Sequence, residues 1–233
     1  MNKEIIKHWS NKFGIPIESF DKKGIIIESS KLNKNEKIIN IFKTATNCIV
    51  VLPYERASEL AALISNITLS SKFKFEDIYS KFEDKIDKII GPIYQGYKVD
   101  DSLYDDAEGV LIEEIDSKTI DFFNSELNEH DKMILGNFSK PIFAINEDNK
   151  IVSLSHYLFW TDKVISVGIL THPKYRKQGY SKKVLKLAMN HATDNGYDIA
   201  YQTLDNNLNS KLLASSLGIK EYATTLKVYL KSK

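Results

Sequence analysis

The sequence predicts an α/β protein with a mixed sheet: a smaller mixed α/β domain over residues 1–99, then a larger α/β domain over 107–233. Three observations predict it. Beyond Ala107, short β-branched runs alternate with segments of helical period, the pattern of strands interleaved with helices. Around it, Asp100 to Glu108 carries five acids among nine residues with no apolar periodicity, following the turn-rich Gly91-Pro92-Ile93-Tyr94-Gln95-Gly96-Tyr97. A chain of 233 residues, 42% hydrophobic and 27% charged, is also long enough for two modest cores.

In chain order, Ile5, Ile6, Trp9 and Phe13 stand at helical spacing, so a helix spans Asn2 to Phe13 and stops at Gly14 and Pro16. Gly24-Ile25-Ile26-Ile27 and Cys48 to Leu52 read as strands, with a helix-like stretch from Glu36 to Phe42 between them. Ala57 to Ile67 and Phe75 to Ile90 read as helices. Past the acidic segment come a strand from Val110 to Ile115, helical pattern from Ser117 to Leu135, and strands at Ile142–Asn146 and Ile151–Trp160 joined by the turn Glu147-Asp148-Asn149. A strand from Val164 to Leu170 leads into a helix from about Gly179 to Thr193. The chain closes with a strand (Ile199–Thr203), a short helix (Ser210–Leu217) and a strand near Thr224–Leu230.

Composition excludes several classes of function. Lys and Arg number 32 against 31 acids, so no general attraction to nucleic acid or to an anionic membrane is expected. The single cysteine, Cys48, sits in an apolar run and reads as a buried, inert thiol. It allows no disulfide framework and no cysteine-based metal site. Charges occupy the N-terminus where a signal peptide needs its apolar core, so a cytoplasmic location is expected.

The stretch that carries chemistry is Val167-Gly168-Ile169-Leu170-Thr171-His172-Pro173-Lys174-Tyr175-Arg176-Lys177-Gln178-Gly179-Tyr180-Ser181, a strand running through a loop into a helix. The first turn of a helix has unpaired N–H groups and partial positive charge, which suits a diphosphate. Gly179 lets the backbone approach it, small Ser181 avoids crowding it, and Arg176, Lys177 and Lys182 can add charge. Lys183 and Lys186 read as a solvated helix face. His172 reads as a residue that shapes the loop.

Arg176-Lys177-Gln178-Gly179-Tyr180-Ser181 resembles the R/Q-x-x-G-x-G/A signature of the GNAT superfamily of acyl-CoA-dependent N-acyltransferases, with Ser181 in place of the last Gly or Ala. Asn207, Ser210 three residues later and then Gly218-Ile219 are similar to the superfamily's N-x-x-A/S, helix, G-F arrangement. Tyr201 to Asp205 and Tyr222 to Thr225 resemble a bacterial branch with an extra N-terminal region. The resemblance covers about half the chain. It implies a GNAT-like domain over 107–233, with acetyl-CoA or another acyl-CoA as co-substrate and no metal. Ile169, Leu170 and Thr171 would hold the pantetheine, Arg176, Lys177, Gln178, Gly179, Tyr180 and Ser181 the diphosphate, and Asn207 would also touch the cofactor. It further implies a splayed strand pair, a backbone N–H near Leu170 facing the thioester, and direct attack by the amine.

A primary amine must lose a proton before it attacks, and His156, Glu129 and Asp205 are the candidate bases. The superfamily's usual acid, a Tyr seven residues after the Asn, is replaced by Ala214; Tyr180 and Tyr201 are substitutes of the right chemistry. The expected acceptor is a small-molecule or peptide amine. Tyr157, Phe159 and Trp160 suit an aromatic wall for its pocket, or equally core or homodimer packing. Residues 1–99 read as a scaffold, a lid or a degenerate copy of the same fold. Two other readings stay open: a catalytically weak acyl-CoA sensing module, and an unrelated fold that binds a nucleotide phosphate.

Overall fold

The computed structural model describes residues 2–32, 37–70 and 72–231. Two compact units make up the chain. One takes Met1–Gly96, Thr203–Lys211 and Glu221–Lys233, and the other takes Tyr97–Gln202 and Leu212–Lys220. The units meet along the chain between Gly96 and Tyr97, and two C-terminal segments belong with the first unit.

The first unit opens with α1 (Lys3–Phe13), capped by the Asn2 side chain and ended by Gly14 in the left-handed region. Its strands are β1 (Gly24–Ser30), β2 (Ile38–Lys43), β3 (Asn47–Pro53), β4 (Ile86–Lys98) and β10 (Ile219–Leu230), in the order β1-β3-β2-β10-β4. β1 and β3 are parallel, while β2 is antiparallel to both β3 and β10. The pairing of Thr224–Tyr229 with Lys43–Ile38 places the C-terminal segment in this unit. Ile39, Ile41, Val50, Leu52, Leu226 and Val228 form its core with Leu60 and Ile64 of α2 (Ala57–Ile64). Trp9 packs on Phe42 with ring centroids 5.3 Å apart.

Two helices expected here are corrected. The stretch from Glu36 to Phe42 is strand β2 from Ile38 onward, Glu36 itself lying outside the described residues. An apolar β-branched run buried between two neighbouring strands has no clean alternation and mimics a helix face. The expected Phe75–Ile90 helix is one turn, α3 (Glu76–Tyr79), then a 3₁₀ segment to Lys85, and β4 begins at Ile86. Gly91-Pro92 lies inside β4 and breaks nothing.

The second unit has β5 (Val110–Ile112), β6 (Ile142–Glu147), β7 (Lys150–Phe159), β8 (Val164–Thr171) and β9 (Asp198–Leu204), in the order β9-β8-β7-β6-β5. Asp148 and Asn149, both at positive φ, make the tight β6–β7 hairpin that the sequence predicts. β5 to β8 are antiparallel in succession, and β8 and β9 are parallel.

Two layers cover this sheet. On one face, α6 (Tyr180–Asp194) buries Val184, Leu185, Ala188, Met189 and Ala192, and the Tyr157 hydroxyl donates to the Ala188 carbonyl at 2.6 Å. On the other, α4 (Ser117–Asn124) and α5 (Glu129–Gly136) bring Phe123 and Leu135 onto Leu154 and Leu170. Odd-numbered residues of β7 and β8 thus face α6, and even-numbered residues face α4 and α5. α7 (Leu208–Ser215) and β10 complete the chain. The observed fold is the mixed α/β class with a mixed sheet that the sequence predicts.

Candidate functional site

β8 and β9 pair only at Val164–Asp198, Ile165–Ile199 and Ser166–Ala200, and from Val167 onward β8 has no β9 partner. The register with β7 fixes which groups this exposes. The Val164 carbonyl accepts from Trp160, and the His172 N–H donates to Val152, so even-numbered backbone groups of β8 turn to β7. The N–H and C=O groups of Val167, Ile169 and Thr171 therefore point to the open side. The open-side N–H groups nearest Leu170 are those of Ile169 and Thr171, the Leu170 N–H being turned to β7.

The open edge runs into the loop. His172 is fully buried and stacks on Phe122 at 4.0 Å, accepts the Lys174 N–H at Nδ1 and faces the Phe122 carbonyl with Nε2 at 3.2 Å. Burial lowers its pKa, so it holds the loop as a neutral ring. Arg176 Nε donates to the Thr171 carbonyl at 3.0 Å, and its guanidinium pairs with Asp131 at 2.7 Å. Lys177 and Gly179 are both at positive φ, 63° and 87°. This winding leaves the N–H groups of Lys177, Gln178, Gly179, Tyr180 and Ser181 without partners among the described residues, while Lys182 and Lys183 donate to the Gly179 carbonyl. Five successive N–H groups at the positive end of a four-turn helix form an anion cradle. A Cβ built on Gly179 would meet nothing within 4 Å, so the cradle opens outward there.

The family model described as GNAT acetyltransferase matches residues 31–229, most of the chain. The chain belongs to this family. Among solved structures, a GNAT-family acetyltransferase from Novosphingobium aromaticivorans is 16% identical, over 64% of this chain and 68% of its own, with a TM-score of 0.48. A GNAT-family acetyltransferase from Colwellia psychrerythraea is 14% identical, over 65% of this chain and 60% of its own, with a TM-score of 0.49. A GCN5-related N-acetyltransferase-like protein from Streptococcus suis is 18% identical, over 78% of this chain and 71% of its own, with a TM-score of 0.41. This chain thus spans less than two thirds of the Colwellia protein's length. No curated protein matches it.

In this GNAT chain the residues expected at the cofactor fall into three groups. Ile169, Leu170, Thr171 and the run Arg176 to Ser181 lie on one continuous path of the second unit. Arg176 also joins strand to loop, through the Thr171 carbonyl and Asp131, while its side chain stays 44% exposed. Asn207 lies in the first unit, where its Oδ1 accepts the Ser210 N–H at 3.2 Å. Lys183 and Lys186 pair with Glu108 and Asp106 on the outer helix face.

The three candidate bases are scattered. Glu129 starts α5, pairs with Lys132 at 2.8 Å and has a 91% exposed side chain. Asp205 lies in the first unit, paired with Lys211 at 2.7 Å. His156 alone stands on the strand pair of the open edge, opposite Gly168. The residue is 4% exposed, and its ring stacks on Phe138 at 4.2 Å and accepts the Ser139 N–H at Nδ1, which leaves the hydrogen on Nε2. Of the two readings open for Tyr157, it takes core packing: it is buried under α6 with its hydroxyl donating to the Ala188 carbonyl. Phe159 is exposed.

Asp131 and Ser139 escape a reading of the sequence, although each orders the site. No group of three or more His, Cys, Asp or Glu side chains gathers for a metal, and no helix is long and apolar enough to cross a membrane, among the described residues.

Burial lowers the pKa of His156 to about 4, from an ordinary 6.5. Its unfolded form binds the proton first, so stability present above pH 6.5 is expected to fall as pH drops towards 4. Melting temperature followed across that window should fall less steeply in His156→Gln than in the unaltered chain.

Proposed function

We propose that the protein transfers an acetyl group from acetyl-CoA, or an acyl group from a related thioester, to a primary amine of a small molecule or peptide. One observation carries this reading: the open edge of β8 is followed, across the His172–Arg176 turn, by five N–H groups without partners among the described residues. An extended amide chain needs the first and a diphosphate needs the second, in the order in which the CoA arm carries them.

In the proposed reaction, the pantetheine lies along Val167 to Thr171 and the thioester carbonyl accepts a hydrogen bond from an odd-numbered N–H of that edge. The amine lone pair attacks the carbonyl carbon, and the same donor stabilises the oxyanion, an effect of about 3 kcal/mol. The C–S bond then breaks, the thiolate leaves and takes a proton from solvent, and the amide nitrogen gives up its remaining extra proton. Attack is direct, since Cys48 is buried in the first unit with its thiol pKa pushed up to about 12. We place His156 at the acceptor side as a neutral group that donates through Nε2. Proton loss from the amine then falls to water or to solvent-facing Glu129.

A second reading, a silent acyl-CoA sensor, is favoured by one observation. Ala214, at the position of the superfamily's acid, is fully buried and offers no proton.

Acetyl-CoA at about 100 times its Kd should raise Tm by roughly 5–10 °C, and ATP should not. Release of free CoA thiol with a panel of amines then separates enzyme from sensor. No rise with acetyl-CoA would remove both readings.

A further inference from the structure

We propose that the Ser181 hydroxyl is an additional donor to the diphosphate, aimed by a buried relay that begins at Ser153. The proposal rests on reading the loop as an acyl-CoA site and deepens it. Three side-chain oxygens form a line from the sheet interior to the first turn of α6. Ser153 Oγ lies 2.7 Å from Thr171 Oγ1, and Thr171 Oγ1 lies 2.8 Å from Ser181 Oγ. Ser153 and Thr171 are buried and Ser181 is half-buried.

Three hydroxyls hold three hydrogens but make two contacts, so one hydrogen is left over, either at one end of the line or on Thr171 if it accepts from both serines, which would strand it on a buried residue. Ser153 Oγ has no other partner among the described residues, and it is completely buried. If the line ran from Ser181 inward, the Ser153 hydrogen would be stranded in the core without an acceptor. The favoured order is therefore Ser153 to Thr171 to Ser181, which leaves the Ser181 hydrogen at the open end. That end is the first turn of α6, beside the free N–H groups of Gly179, Tyr180 and Ser181 itself. A hydroxyl polarised by two others and pointed at an anion makes a charge-assisted bond. The departure from Gly or Ala at this position thus adds a donor that a smaller residue could not supply.

Ser181 would touch the cofactor, and Ser153 would act through it as a positioning residue. Ser181→Ala should weaken acetyl-CoA binding about tenfold, with inorganic diphosphate weakened in parallel. S-acetylpantetheine, which lacks the diphosphate, should bind Ser181→Ala and the unaltered protein within about twofold. Ser153→Ala should weaken acetyl-CoA by about threefold, since Thr171 can then turn its hydrogen either way. The double variant should bind no worse than Ser181→Ala alone, a non-additivity that two separate packing defects would not produce.

Equal weakening of acetyl-CoA and S-acetylpantetheine, unchanged acetyl-CoA binding in Ser181→Ala, or additive losses would each overturn the proposal. If the unaltered protein binds no acetyl-CoA, the functional reading falls and takes the relay's role with it.

Discussion

Gly179→Asp is expected to abolish the rise in Tm on adding acetyl-CoA and to lower kcat/KM by at least about 100-fold, whereas Gly179→Asn keeps a measurable part of both. Both side chains tolerate the left-handed backbone that Gly179 adopts at φ 87°, and a Cβ there meets nothing within 4 Å, so the two variants share whatever strain the position imposes. They differ by one negative charge beside five N–H groups. A carboxylate about 4 Å from a phosphate charge costs about 4 kcal/mol at the dielectric of a protein surface, more than enough for the loss expected. The apo melting temperatures of the two variants should agree closely. Equal loss of binding in Asn and Asp would mean that shape rather than anion recognition governs the loop, and would sink the assignment of the diphosphate.

The loop was the most legible part of the sequence, because Gly179 and its basic neighbours sit where a strand must turn into a helix, and only a few residue types allow that turn. The second unit's element order was legible for a related reason: hairpin residues such as Asp148 and Asn149 and the amphipathic face of α6 are local signals. What could not be read depends on partners far along the chain. Ile38 to Phe42 carries no local mark of being a strand, since its pairing with β3 and β10 decides the matter. The partner of Arg176 is equally remote, since Asp131 lies 45 residues away. Ser153 and Ser155 did leave a trace, as polar residues within an apolar strand. Their hydroxyls turn out to bond Thr171 and the Gly168 carbonyl, both on β8. Backbone parity was invisible, because a one-residue register difference would turn the opposite set of N–H groups to the open edge.

The second large effect comes from the strand itself. Gly168→Ala is expected to lower Tm by roughly 3–10 °C and to reduce kcat/KM by about 100-fold, although residue 168 offers no side chain to any substrate. A Cβ at this position would stand 2.3 Å from His156 Nε2 and 2.5 Å from its Cδ2. The ring has little room to yield, held by Phe138 on one face and by the Ser139 N–H at Nδ1. β8 must then move, and the residue next to the collision is Ile169, whose N–H lies on the edge proposed to meet the thioester. A displacement of about 1 Å there is enough to misplace an oxyanion donor. His156→Ala removes the obstacle at the cost of a cavity under Phe138, so alone it also lowers Tm. The double variant should be less destabilised than the sum of the two single ones by about 0.5–3 kcal/mol, and it should regain part of the activity that Gly168→Ala loses. Recovery of stability without recovery of activity would show that His156 does more than occupy the space over Gly168, and would mark its Nε2–H as a group the reaction uses. Recovery of both would leave Gly168 as the feature that matters, keeping β8 straight where its unpaired edge begins.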